Sequence, residues 1–177
     1  MSNTEHSRIE QEARNLEEQF ENDTVDPEQI RIQEKVTSID RSDANLFVLA
    51  TLYVKSRDQK MTEQGFEMLR ILLQQHNSTS FDSYESNSRH YKRDVMYLMA
   101  VGHYYLAEYP EARRWLERLL QFDPSNYQAP KFLHLIDRKI ADDGKKGLAI
   151  AGGAAVIGGI AAVGGIILMG ILNSKRK

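Results

Sequence analysis

From Leu148 to Leu172 the chain runs without a charged residue or a hydroxyl side chain. At roughly 1.5 Å per residue a helix of that length spans about 37 Å, more than the roughly 30 Å of a bilayer's hydrocarbon layer. A lone segment in lipid can satisfy its peptide groups only as a helix. The run therefore predicts a single C-terminal transmembrane helix over 148–172. Its paired glycines also invite a nucleotide-loop reading, which fails. A dinucleotide fingerprint needs two glycines one residue apart, and this run has none. A P-loop needs Gly-Lys-Ser or Gly-Lys-Thr, whereas Gly144-Lys145 is followed by Lys146.

The rest of the chain is polar and mildly acidic. Of 177 residues, 27% are charged, and the acidic ones all precede Gly144. One domain plus an appendage fits this length. With no basic stripe on the body, nucleic acid is not an expected partner. Cysteine is absent, which excludes disulfides, thiolate catalysis and Cys-based zinc sites. The N-terminal MSNTEHSRIEQEARN has no apolar run of signal-peptide type and too much Glu for a transit peptide. The body is expected to face the cytosol, so the sequons at Asn22 and Asn77 read as accidental.

Basic residues flank the span: Lys145 and Lys146 in a juxtamembrane linker, 144–147, and Lys175, Arg176 and Lys177 in a C-terminal tip, 173–177. A span so placed is a tail anchor, and its modest hydrophobicity and basic tip favour mitochondrial or peroxisomal surfaces. Ala154, Gly158 and Ala162 fall at i, i+4, i+8, a small-residue line through which a homo-oligomer could pack.

The body reads as helical throughout. Ile9, Ala13, Leu16 and Phe20 mark one face of an N-terminal amphipathic helix within 1–22. Asp26-Pro27 breaks it, and 23–43 is taken as an extended connection in which Ile30, Ile32, Val36 and Ile39 suit a short helix or a docked loop. Helical periodicity then recurs over 44–56, 61–75, 91–108, 110–123 and 126–143, with Asn126 as N-cap of the last and Gly144 as its end. The Ser/Asn-rich stretch 76–90 reads as an enlarged linker.

Helix pairs joined by short turns call for a repeat search. Counting back from Pro124 gives a tetratricopeptide-like unit over 93–126, with Ala100, Ala112, Leu116, Leu119 and Pro124 at signature positions. A weaker unit over 44–75 places Ala50 and Gly65 at the same small positions, where paired helices approach closely. Two repeats cannot close a core alone, so the first and last helices serve as caps. The expected fold is all-α: a six-helix bundle of two tandem tetratricopeptide-like repeats over 44–143 with capping helices, plus the transmembrane helix.

The run RDVMYLMAVGHYYLAEYPEARRWLERLLQFDPSNYQAPKFLHLIDRKIADDG, followed by a Gly-rich apolar segment and a basic tip, resembles the mitochondrial fission 1 protein family. The resemblance extends from about Leu46 to the C-terminus and, more loosely, to the first helix. It implies a receptor on the mitochondrial outer membrane and the peroxisomal membrane, recruiting fission adaptor proteins and a dynamin-related GTPase. In such folds the first helix of each repeat lines a concave groove. Those positions map to Phe47, Thr51, Val54 and Lys55, and to Asp94, Tyr97, Val101, Tyr104 and Tyr105. Aromatic residues there suit docking of an amphipathic helix or extended arm.

Another reading is a tail-anchored co-chaperone, but a clamp for a C-terminal carboxylate needs converging Lys, Arg and Asn, and Phe47 and Thr51 stand in their place. An enzyme is not expected. His6, His76, His90, His103 and His134 are scattered, none at i, i+4 spacing for a metal, and no carboxylates pair on an apolar face. His103 is assigned a hydrogen-bonded core role. No catalytic residue, metal or cofactor is expected.

Overall fold

In the computed structural model the described residues are 3–78 and 85–151, and they contain seven α-helices. These are α1 (Asn3–Asn22), α2 (Pro27–Ile39), α3 (Asp43–Lys55), α4 (Gln59–Ser78), α5 (Glu85–Tyr105), α6 (Tyr109–Phe122) and α7 (Gln128–Ala151). The chain divides into two compact units, residues 1–140 and 141–177. The packing below is that of the first.

The two helix hairpins, α3–α4 and α5–α6, form the repeat pairs. Ala50, Ala100, Ala112, Leu116 and Leu119 are fully buried in their seams. Gly65 lies where a Cβ would stand 3.1 Å from the Ala50 carbonyl oxygen and 3.1 Å from Val54, so α4 crosses α3 at backbone contact. Gly102 on α5 makes room for a side chain instead: a Cβ there would meet the Phe66 ring at 2.4 Å. Around these seams Phe132, Leu69, Leu72, Met99, Leu135 and Ile136 complete the core. Pro124, expected among the packing residues, is instead exposed in the turn between α6 and α7, which closes by the Asn126 N–H donating to the Asp123 carbonyl.

Local signals explain most helix ends. Asp26 caps α2 by accepting from the Glu28 N–H at 2.9 Å, and Pro27 takes the first helical position, where its missing N–H costs nothing. Asp58 accepts from the Met61 N–H at 2.8 Å to start α4. Asn126 accepts from the N–H groups of Gln128 and Ala129, capping α7 as its sequence position indicates, and Pro130 sits in the first turn that tolerates it.

Four expectations need correction. The segment 23–43, read as an extended connection in which a short helix or a docked loop stood open, takes the helix: α2 fills most of it and buries Ile30 and Thr37 against α3. The enlarged linker 76–90 is shorter than expected, because α4 continues to Ser78 and α5 begins at Glu85. Gly144 does not end the last helix, and 144–147 is helical, since a single glycine is only about 1 kcal/mol worse than alanine in a helix. The helices described number seven, not six. Among the described residues no helix is long and apolar enough to cross a membrane. The expected span lies outside the described residues from Gly152 onward, as do Lys175, Arg176, Lys177 and the line of Ala154, Gly158 and Ala162. Lys145 and Lys146 fall within α7.

Candidate docking groove

The amphipathic stripe on α1 closes over the repeat pairs. Ala13 and Phe20 are buried, and the Phe20 ring meets Tyr104 at 5.1 Å, Tyr105 at 5.7 Å and Phe132 at 4.9 Å between centroids. The acidic residues flanking that stripe find bases on the helices beneath. Glu12 pairs with Lys131 at 3.3 Å, Glu17 with both Arg138 and Lys139, and Asp23 with Lys55 at 2.9 Å. Burial alone would raise the Glu17 carboxyl, but its hydrogen bonds and charge contacts with Lys139 and Arg138 outweigh this and hold it below the usual carboxylate range.

The end of α1 is held from outside. Arg57, at φ 61° just after α3, donates to the carbonyls of Phe20, Glu21 and Asp23. The Phe20 carbonyl also accepts from the Asp23 N–H at 3.3 Å, and Arg57 adds a charged donor to the carbonyls that a helix C-terminus leaves open. Its guanidinium also lies 4.7 Å from the Tyr105 ring centroid, and the Tyr105 hydroxyl donates to Asp23 at 3.3 Å.

Between α1 and the repeats remains an open cavity of about 420 Å³. One wall is Glu12, Asn15, Leu16, Gln19, Phe20 and Asp23; the other is Lys55, Tyr97, Leu98 and Val101, with Tyr127, Gln128 and Lys131 at the start of α7. Acidic groups thus stand on the α1 side, basic groups on the α3 and α7 side, and an apolar floor between them. Burial raises the Tyr97 hydroxyl to about 12, with a smaller contribution from Tyr127 nearby, so it remains a neutral hydrogen-bonding group at physiological pH.

Of the nine groove residues expected from the repeat pattern, Lys55, Tyr97 and Val101 line this cavity. The others do not. Val54 is fully buried and belongs to the core, where it contacts Gly65. Tyr104 and Tyr105 are covered by Phe20. The Phe47 ring packs tilted against Tyr91 at 5.2 Å between centroids, Thr51 donates its hydroxyl to the Phe47 carbonyl at 2.8 Å, and the exposed Asp94 pairs with its neighbour Arg93. His103 stacks on the Phe66 ring at 4.4 Å and reaches Glu108 at 2.7 Å, fastening the α5–α6 turn.

The pattern missed Tyr127, Asn15 and Gln19. Tyr127 is 72% exposed at the mouth, with the Lys131 ammonium 5.4 Å from its ring. The signal was available: an aromatic directly after the Asn126 cap has no helix neighbour to cover it. Among the described residues no group of three or more His, Asp or Glu could hold a metal ion.

The model of the Fis1 C-terminal tetratricopeptide repeat matches residues 93–145, the stretch from α5 into α7. Mitochondrial fission 1 protein of Candida albicans is 34% identical over 101 residues, covering 57% of this chain and 58% of that protein. The alignment therefore spans less than two thirds of that relative's length. Mitochondrial fission 1 protein of Debaryomyces hansenii is 31% identical over 135 residues, covering 75% of this chain and 80% of the relative. The chain belongs to the mitochondrial fission 1 protein family. A crystal structure of yeast Fis1 in complex with an Mdv1 fragment shares the fold at TM-score 0.55 and 22% identity, over 69% of this chain and 90% of that one. Membership in the fission 1 family implies association with mitochondria.

Proposed function

We propose that this protein is a tail-anchored receptor of the mitochondrial outer membrane that promotes fission by docking an adaptor in the cavity between α1 and the repeat helices. The observation that carries the reading is the cavity itself: an apolar floor of Tyr97, Leu98 and Val101, rimmed by charge and by an exposed Tyr127, on a member of the fission 1 family. Its yeast relative was crystallised with an Mdv1 fragment, and an adaptor of that class is the partner proposed here. The apolar run Leu148–Leu172 supplies the anchor, and Lys145, Lys146, Lys175, Arg176 and Lys177 its flanking charges. Action on peroxisomes and onward recruitment of a dynamin-related GTPase extend the same reading. The co-chaperone reading is disfavoured because Lys55 and Lys131 already pair with Asp23 and Glu12, so no cation set converges on a free carboxylate.

The test is adaptor recruitment by the full chain in cells. Tyr127→Ala is expected to weaken it at least about tenfold, the loss usual for an exposed aromatic anchor of roughly 2 kcal/mol. Because that side chain is solvent-exposed, the unfolding midpoint should not move. Glu117→Ala, on the far side of the second repeat pair, should leave recruitment unchanged. Normal recruitment by the Tyr127 variant would remove the cavity from the binding surface.

A further inference from the structure

Two ion pairs cross the cavity from wall to wall. Glu12 on α1 reaches Lys131 on α7 at 3.3 Å, and Asp23, just past α1, reaches Lys55 on α3 at 2.9 Å. Glu12 and Asp23 are eleven residues apart, so at about 1.5 Å per residue the two bridges stand roughly 16 Å from each other. Their four charges neutralise one another. Between them the α1 wall presents two uncharged amides, Asn15 and Gln19, beside the apolar floor of Tyr97, Leu98 and Val101. A helix of that length and about 10–12 Å across fills at least about 1,250 Å³, about three times the 420 Å³ of the cavity.

An extended chain has other dimensions. Strands need only about 4.8 Å of width, and about five residues at roughly 3.3 Å each cover the distance between the bridges. One edge of such a chain offers N–H and C=O groups at every second residue, about 6.7 Å apart. Asn15 and Gln19, at i and i+4 on α1, stand about 6 Å apart along the helix. A carboxamide both donates and accepts, and the Asn15 oxygen, which already accepts from Gln11 at 3.0 Å, keeps a second lone pair. Side chains of the same chain alternate between the floor and the mouth, where Tyr127 is exposed.

We propose that the cavity takes an extended, uncharged segment of its partner protein, and not an amphipathic helix. Two large apolar residues of the segment, at i and i+2, meet the floor, and its main chain bonds Asn15 and Gln19. This rests on the docking reading above and names the kind of segment docked. The rim charges select it: a charged residue in the segment must displace Glu12 from Lys131 or Asp23 from Lys55 to find a partner.

The probe is a library of random linear peptides displayed on phage, selected on the full chain in mild detergent and counter-selected on its Tyr127→Ala variant. The expected peptides carry large apolar residues at i and i+2 with no charge between them. Asn15→Ala together with Gln19→Ala should weaken the best of them at least about tenfold through the lost main-chain bonds. Both side chains are exposed, so the unfolding midpoint should stay where it is. The chain has no cysteine, which lets Glu12→Cys with Lys131→Cys be joined specifically by a short bismaleimide. That link pins α1, and affinity should match the unlinked double variant, because an extended segment enters without moving the helix. Apolar residues at i and i+3 or i+4, affinity lost on linking, or affinity indifferent to the two amides would overturn the extended segment while leaving the cavity as a docking site. A selection yielding no peptide that depends on Tyr127 would remove the docking site itself, and the segment with it.

Discussion

Ala107 holds φ 57°, in the left-handed region, where it turns the chain from α5 to α6 while the Glu108 N–H donates to the His103 carbonyl at 2.8 Å. A side chain there costs about 1 kcal/mol relative to glycine. Ala107→Gly is therefore expected to stabilise the bundle by up to about 1 kcal/mol, read as a higher urea midpoint in the fluorescence of the single tryptophan, Trp115 on α6. Arg57 has nearly the same backbone, φ 61°, yet Arg57→Gly should lower the midpoint. Its side chain carries the three carbonyl bonds at the end of α1, and losing them outweighs the relief of strain. Glu17 gives a pH-dependent case. Its folded carboxyl is depressed below the ordinary 4.5, so its contribution is full above that value and is lost as pH falls through the folded one. The stability difference between the wild type and Glu17→Gln should be constant near neutrality and shrink below pH 4.5. A difference that grew in acid would contradict the ion-paired assignment.

At the scale of elements, the repeat pairs depend on backbone contact between helices. Gly102 faces the Phe66 ring so closely that a methyl group must displace it, and that ring is buried between α3, α5 and the His103 imidazole. Gly102→Ala is expected to destabilise by roughly 1–3 kcal/mol, the usual cost of overpacking. Thermal unfolding of the same chain checks it, and an unchanged midpoint would mean α5 has room to shift. The α3 and α4 helices could be placed from their sustained apolar periodicity, even though α3 faces two clusters, Ala50 and Val54 in one and Leu49 and Tyr53 with Ile30 in the other. The α2 helix could not. Its buried positions, Ile30 and Thr37, and its exposed stripe, Ile32, Val36 and Ile39, leave apolar residues on two faces, and no single stripe stands out. What makes it a helix is the Asp26 cap and its bonds to Asn45 and Tyr53 on α3, which are tertiary contacts.

For the molecule as a whole, the proposed anchor predicts that the full chain resists alkaline extraction from membranes. Replacing Lys175, Arg176 and Lys177 with Ser should divert part of it to the endoplasmic reticulum, as seen by fluorescence localisation. A full chain released at high pH would remove the anchor. The all-helical body, the seams at Ala50, Gly65, Ala100 and Ala112, and the inward stripe of α1 were legible in the sequence alone. Each follows from spacing within one helix or one helix pair, where 3.6 residues per turn decides which side chains share a face. The sequence pattern could also list the aromatics of α5, but not which of them remain open. Phe20 covers Tyr104 and Tyr105, and Asp23 reaches Tyr105, from positions more than eighty residues away. Tyr97 and Val101 stay beside the cavity because α1 passes over the end of α5 and stops where Arg57 holds it. Periodicity is a local property and reports that a face is apolar. What covers that face depends on charges and carbonyls brought together from distant segments, and only the tertiary structure decides it.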